Sequence, residues 1–119
     1  MEFIEAPPFA RFVDAYLGNA DFRALQAALV ENPETGDVMP GTGGFRKYRW
    51  RDATRSKGKR GGLRVVYYYC PEDQQIWFVA VYGKNDVADL TPTEKRQLKA
   101  AVSAELDTRR KIRKGQRRP

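Results

Sequence analysis

The sequence predicts an α+β domain: a small antiparallel β-sheet with helices packed on one face, in the order β-α-α-β-β-β-α. Three observations carry that expectation. Residues 9–29 place apolar side chains at helical spacing. Residues 45–82 contain three successive runs of alternating or β-branched and aromatic residues. Residues 91–106 return to helical spacing behind a strong helix start. At 119 residues the chain can bury one core but not two.

The elements follow in order. Phe3-Ile4-Glu5 reads as a short first strand ended by Pro7-Pro8. Phe9, Phe12, Val13, Tyr16 and Leu17 recur at the spacing of one helix face, and Gly18 stops that helix. Asn19 or Asp21 can cap a second helix with Phe22, Leu25 and Leu29 inside, ending before Asn32-Pro33. The two form a helical hairpin. Glu34 to Gly44 is rich in turn residues and carries the chain to the sheet. From Phe45 to Arg51 the chain alternates, Arg46, Tyr48 and Trp50 pointing one way and Lys47, Arg49 and Arg51 the other. Leu63 to Cys70 reads as a central strand, Pro71 to Gln74 as a hairpin turn, and Gln75 to Tyr82 as the returning strand. On that strand Ile76, Phe78, Ala80 and Tyr82 are expected opposite Trp77, Val79 and Val81. Gly83 closes it. Thr91-Pro92-Thr93-Glu94 then starts a helix with a cap, a first-turn proline and a capping box, continued by Leu98, Ala101, Val102 and Leu106. The folded domain is expected over residues 1–108. Residues 109–119 are too poor in apolar side chains to pack and are expected to form a basic, disordered tail.

Charge is segregated along the chain. The formal net charge is +7. Residues 1–43 hold two cations and seven carboxylates, whereas residues 44–64 hold nine cations and Asp52 alone. Residues 91–119 hold ten cations and three carboxylates. Two basic blocks behind an acidic front favour an acidic partner, most simply nucleic acid. No segment has the apolar length of a membrane span, and Met-Glu-Phe-Ile-Glu lacks the basic region of a signal peptide, so a cytoplasmic protein without a membrane partner is expected. The single cysteine, Cys70, cannot close an internal disulfide and falls on the strand pattern as a packing residue.

The densest basic stretch is Arg55 to Arg64, with five cations and three glycines in ten residues. Glycines let a backbone approach a polyanion, and cations give charge-assisted hydrogen bonds to phosphate. Such a loop can grip RNA or cut it. The chain has no histidine, so the usual general base and metal ligand are missing, and no metal or cofactor is expected. If RNA is cut, Lys57 and Lys59 are the candidate bases, because neighbouring positive charge disfavours a lysine's protonated form. Arg64, held at a strand start, suits the transition-state charge. Lys84, just past the neighbouring strand, can reach the same phosphate. Tyr82 can stack on a base or order the site, and Arg60 can hold a flanking phosphate. On the preceding strand Arg46, Lys47 and Arg49 are candidate RNA contacts. The alternative is that all of these residues only bind.

Three segments also resemble a known family. Gly41-Thr42-Gly43-Gly44-Phe45-Arg46-Lys47, Gly58 to Tyr68, and Tyr82-Gly83-Lys84-Asn85 with Asp89-Leu90-Thr91 are similar to the HigB branch of the RelE/ParE toxin superfamily, over about residues 3–107. The resemblance implies the toxin of a type II toxin–antitoxin module, with a compact fold of helices on a small antiparallel sheet. It implies a ribosome-dependent mRNA endonuclease that works by 2′-hydroxyl attack and leaves a 2′,3′-cyclic phosphate and a 5′-hydroxyl. Its Lys/Arg catalytic set carries over to Lys57, Lys59, Arg64 and Lys84, with Tyr82 and Asn85 as further RNA contacts. The partners it implies are the ribosome with its mRNA and a cognate helix-turn-helix antitoxin, through which alone operator DNA is met. A gyrase poison on the same scaffold, or a non-catalytic RNA- or rRNA-binding module, are the competing functions.

Overall fold

The computed structural model describes residues 1–50, 62–83 and 90–116. Among these the chain forms β1 (Glu2–Glu5), α1 (Pro7–Tyr16), α2 (Asn19–Glu31), β2 (Asp37–Val38), β3 (Arg46–Trp50), β4 (Leu63–Cys70), β5 (Gln75–Gly83) and α3 (Pro92–Gln116). The class is α+β, as the sequence implies. The five strands make one sheet in the order β1-β5-β4-β3-β2. Strands β2 to β5 pair antiparallel, but β1 lies parallel to β5, so the sheet is mixed rather than wholly antiparallel. A four-residue strand followed by two helices returns to the sheet edge in the direction of β5, and nothing local in Phe3-Ile4-Glu5 specifies that partner. The two-residue β2, within the expected turn-rich segment, adds the opposite edge.

Two compact units divide the chain: Met1–Met39 with Phe45–Asp89, and Pro40–Gly44 with Leu90–Pro119. In the first, α1 and α2 cover one face of the sheet. Phe9, Val13, Leu17, Leu25 and Leu29 meet Leu63, Val65, Tyr67, Ile76, Phe78 and Val81 in a single apolar core. Phe9 stacks on Phe78 with centroids 4.7 Å apart, and Phe3 stacks on the same ring at 5.6 Å. Phe12, expected inside, is exposed. Helix α2 starts at an N-cap Gly18 with no side-chain capping bond. Neither Asn19 nor Asp21 caps it, and Asp21 instead lies in the first turn, where its charge complements the helix dipole. Pro71–Asp73 forms a 3-10 turn, and Gln74 takes the left-handed conformation (φ 52°) that brings β5 back along β4.

In the second unit the expected capping box forms at α3. Thr91 Oγ1 accepts from the Glu94 amide at 3.1 Å, and Glu94 Oε1 accepts from the Thr91 amide at 2.8 Å. The helix does not stop at the expected boundary of residue 108 but runs on to Gln116. Arg109 reaches Glu105 and Arg110 reaches Asp107, each at 2.8 Å, so i,i+4 and i,i+3 pairs carry it into the basic stretch expected to be a disordered tail. The glycine-rich segment seats this helix. Gly43 has φ +80°, and a Cβ there would lie 3.2 Å from both Lys99 Cγ and Val102 Cγ1. No helix among the described residues is long and apolar enough to cross a membrane.

Candidate functional site

The face of the sheet turned away from α1 and α2 carries the cations. On β3, Tyr48 and Trp50 join the core, so Lys47 and Arg49 between them face the other way. On β4, Leu63, Val65 and Tyr67 are core, so Arg64, Val66 and Tyr68 share the face of Lys47 and Arg49. Register places Arg49 opposite Arg64 and Arg64 opposite Tyr82, a single row across β3, β4 and β5. One rung away Lys47 lies opposite Val66. Arg49 is exposed, Lys47 and Arg64 are half-buried, and Tyr82 is 7% exposed. Two arginines directly opposite each other destabilise a bare sheet. The strand pairing holds them there regardless, and an anion placed between them relieves the repulsion.

Tyr82 reaches this row through a bulge. The ladder pairs Val66 with Ala80 and Tyr67 with Phe78, leaving Val79 as an extra residue on β5. Simple alternation from Ile76 and Phe78 would turn Ala80 and Tyr82 toward the helices. Instead Val81 joins Ile76 and Phe78 in the core, and Tyr82 turns to the cationic face. A bulge leaves no signature in a run such as Trp77-Phe78-Val79-Ala80-Val81, so this reversal was hidden in the sequence.

The row lies next to the end of the sheet. Beyond it comes a last rung, Trp50 opposite Leu63 and Leu63 opposite Gly83. Residues 51–61 and 84–89 start from these strand ends. The candidates Lys57, Lys59, Arg60, Lys84 and Asn85, and the ladder residue Arg51, lie outside the described residues. Of the sequence-derived set, the structure therefore brings together Lys47, Arg49, Arg64 and Tyr82.

Arg46, grouped by the sequence with the candidate RNA contacts, is not with them. It pairs with Tyr67 across β3 and β4 on the helix-covered face. Its Nη1 donates to Glu34 O at 3.0 Å and to Gly36 O at 2.8 Å, and its Nη2 lies 3.6 Å from the Glu34 carboxylate. Tyr67 completes this clasp. Its hydroxyl donates to Pro33 O at 2.7 Å and accepts from the Gly36 amide at 3.0 Å. A Cβ on Gly36 would meet Tyr67 Cε1 at 2.9 Å, so glycine is required for the ring's close approach. Burial first of all pushes the Tyr67 phenol above its ordinary pKa, against a smaller lowering by the Gly36 hydrogen bond and by Arg46.

Sequence reasoning also missed an aromatic row on the cationic face. Phe45, Tyr68 and Trp77 follow one another across the sheet, with centroids 5.2 Å apart and then 5.1 Å, the second pair stacked. Trp77 Nε1 donates to Gln75 Oε1 at 3.0 Å. Burial, then the neighbouring Cys70 and Glu72, raise the Tyr68 phenol. The only available signal was the run Tyr67-Tyr68-Tyr69, whose alternate members go to opposite faces. Cys70 is buried, its Sγ 3.4 Å from Asp73 Oδ2, as a packing cysteine would be. Among the described residues no three His, Cys, Asp or Glu side chains group to hold a metal ion.

A cationic row at one end of a mixed sheet, backed by a helical hairpin and followed by a long basic helix, can bind a phosphate chain. Comparison with protein families agrees with that architecture. Residues 20–114 match the model of the RelE toxin of the RelE/RelB toxin–antitoxin system, from the start of α2 nearly to the end of α3. A family defined by such a system implies an antitoxin as partner. The stretch matched takes in β2 to β5, and with them Lys47, Arg49, Arg64 and Tyr82; the chain belongs to the RelE toxin family.

Proposed function

We propose that this toxin is a ribosome-dependent mRNA endonuclease of the HigB branch, which blocks translation by cutting codons in the ribosomal A site. The observation that carries this reading is the Arg49–Arg64–Tyr82 row, one rung from the strand ends that continue into the segments bearing Lys57, Lys59 and Lys84.

In the proposed reaction a neutral lysine, Lys57 or Lys59, takes the proton of the 2′-hydroxyl. The 2′-oxygen attacks the adjacent phosphorus in line, and the bond from phosphorus to the 5′-oxygen breaks. Arg64 stabilises the charge gathering on the phosphorane oxygens, and its half-buried place on a central strand limits its reorganisation. Lys84 holds the same phosphate, and a protonated lysine returns a proton to the 5′-oxygen. The products are a 2′,3′-cyclic phosphate and a 5′-hydroxyl. Lys47, Arg49 and Arg60 grip flanking phosphates, and Asn85 is a further RNA contact. The nearly complete burial of Tyr82 suits ordering of Arg64 rather than stacking on a base. A helix-turn-helix antitoxin would block this surface and bring the complex to operator DNA, inside the cytoplasm.

Transcript-end mapping after controlled expression tests the proposal. Wild-type protein should arrest growth and leave mRNA ends within translated codons. Arg64→Ala should keep its folded circular-dichroism spectrum and cut about 100-fold or more slowly, the usual cost of losing a transition-state charge donor. Lys57→Ala with Lys59→Ala should abolish cutting. Growth arrest with intact mRNA and an SOS response would overturn the reading in favour of gyrase poisoning.

A further inference from the structure

Helix α3 presents a second basic surface that the sheet face does not use. Its exposed cations Arg96, Lys99, Arg110, Lys111 and Lys114 fall within about 120° of arc at helical periodicity. The ridge runs about 27 Å from Arg96 to Lys114, at helical rise. Glu94 and Glu105 lie on the other side of the helix. Asp107 is the one carboxylate within the arc, and Arg110 holds it at 2.8 Å. Lys99, Lys111 and Lys114 make no ion pair with a described residue. The Lys99 stem lies against the Gly43 turn while its residue stays exposed, so its base is anchored and its ammonium projects.

The arrangement selects its ligand. The cations form two clusters, Arg96 with Lys99 and Arg110 with Lys111 and Lys114. About 17 Å of helix separates Lys99 from Arg110, with the small side chains of Ala100 and Ser103, and Asp107 held by Arg110, on the ridge between. Such a waist lets the helix lie close to a groove while each cluster meets phosphates at one rim. Residues Pro92–Gln116 include no aromatic side chain, so α3 has no platform on which unpaired bases could stack. The minor groove of A-form RNA is wide and shallow and displays 2′-hydroxyls, which the Ser103 hydroxyl at the waist can meet. We propose that this ridge binds double-stranded RNA across its minor groove, independently of the cationic sheet face. The choice of RNA over DNA rests on the function proposed above; the ridge geometry and its duplex preference do not.

Fluorescence anisotropy of the full chain on an RNA duplex of about 20 base pairs, a little longer than the span of a duplex-binding domain, tests the inference without ribosomes. Lys99→Gln with Lys114→Gln removes one charge from each cluster and breaks no ion pair with a described residue. It should weaken binding and lower the slope of log K against log salt by about 2, one for each lysine. The helical circular dichroism should stay unchanged. Arg11→Gln with Arg23→Gln removes equal charge from α1 and α2 and should leave the slope unaltered. An equal loss in that control would overturn the proposal, since net charge alone would then explain binding. So would an equal loss, on the double lysine change, in binding of the corresponding DNA duplex, of single-stranded RNA, or of poly-glutamate standing in for an acidic protein partner. A protein that cuts no mRNA yet binds the duplex through α3 leaves this inference standing, and one that cuts mRNA without such binding overturns it alone.

Discussion

At the scale of the residue, Tyr67 shows how one hydroxyl can fix a loop. It donates to Pro33 O and accepts from Gly36 N, while the adjacent Arg46 binds the carbonyls of Glu34 and Gly36. Tyr67→Phe would leave the Gly36 amide without its partner in a buried setting, at a cost of about 1–3 kcal/mol, measurable by urea unfolding. The pH dependence has a definite sign. The native phenol's pKa is raised, so the folded chain holds that proton more tightly than the unfolded one. Its contribution is therefore complete below about pH 10 and is lost as pH rises through the native value. Stability should fall in that alkaline window, and less steeply in Tyr67→Phe; identical profiles would remove Tyr67 as the cause. The sequence showed that a tyrosine run on a central strand places at least one member in the core. It did not show which backbone atoms the hydroxyl would find, because they lie more than 30 residues away. The place of Arg46 was hidden for the same reason: in sequence it belongs to a basic strand, and its partners are backbone oxygens that no composition reveals.

At the scale of the element, local rules were the most legible. The Thr91–Glu94 box, the Pro71 turn and the alternation of β3 all depend on neighbours within a few residues. Pairings between distant segments were not legible, and β1 beside β5 is the clearest case. Helix α3 lies between these extremes. Its apolar positions fade after Leu106, but i,i+3 and i,i+4 ion pairs continue the helix where burial does not. Its seat on the glycine turn gives a direct test. Gly43→Ala would force a left-handed alanine, worth about 1–2 kcal/mol, and crowd Lys99 and Val102 as well. Its melting temperature should drop, with the loss of helical signal beginning in α3. A change confined to sheet signals would refute that seat.

At the scale of the whole molecule, charge is divided by face and by element rather than spread. Asp14, Asp21 and Glu31 lie on α1 and α2, whose apolar sides line the core, while among the described cations Lys47, Arg49 and Arg64 share one sheet face and the C-terminal basic residues lie on α3. Charge segregation was visible in the sequence as blocks; which face Val81 and Tyr82 took was not, because a single inserted residue on β5 decides it. Val79 acts as a parity switch on β5. Before it, odd and even positions answer to one assignment of inside and outside; after it, to the opposite one. Deleting Val79 should therefore do more than shorten a strand. It would exchange the surroundings of Val81 and Tyr82, putting a phenol into the apolar core and an aliphatic side chain beside Arg64, so both folding stability and RNA cutting should fail together. Val79→Ala keeps the count and should preserve both. A substitution scan along β5 would read the same switch directly: the rhythm of tolerant and intolerant positions should reverse its beat between Phe78 and Val81, so that the strand keeps one time for the core and another for the cationic face.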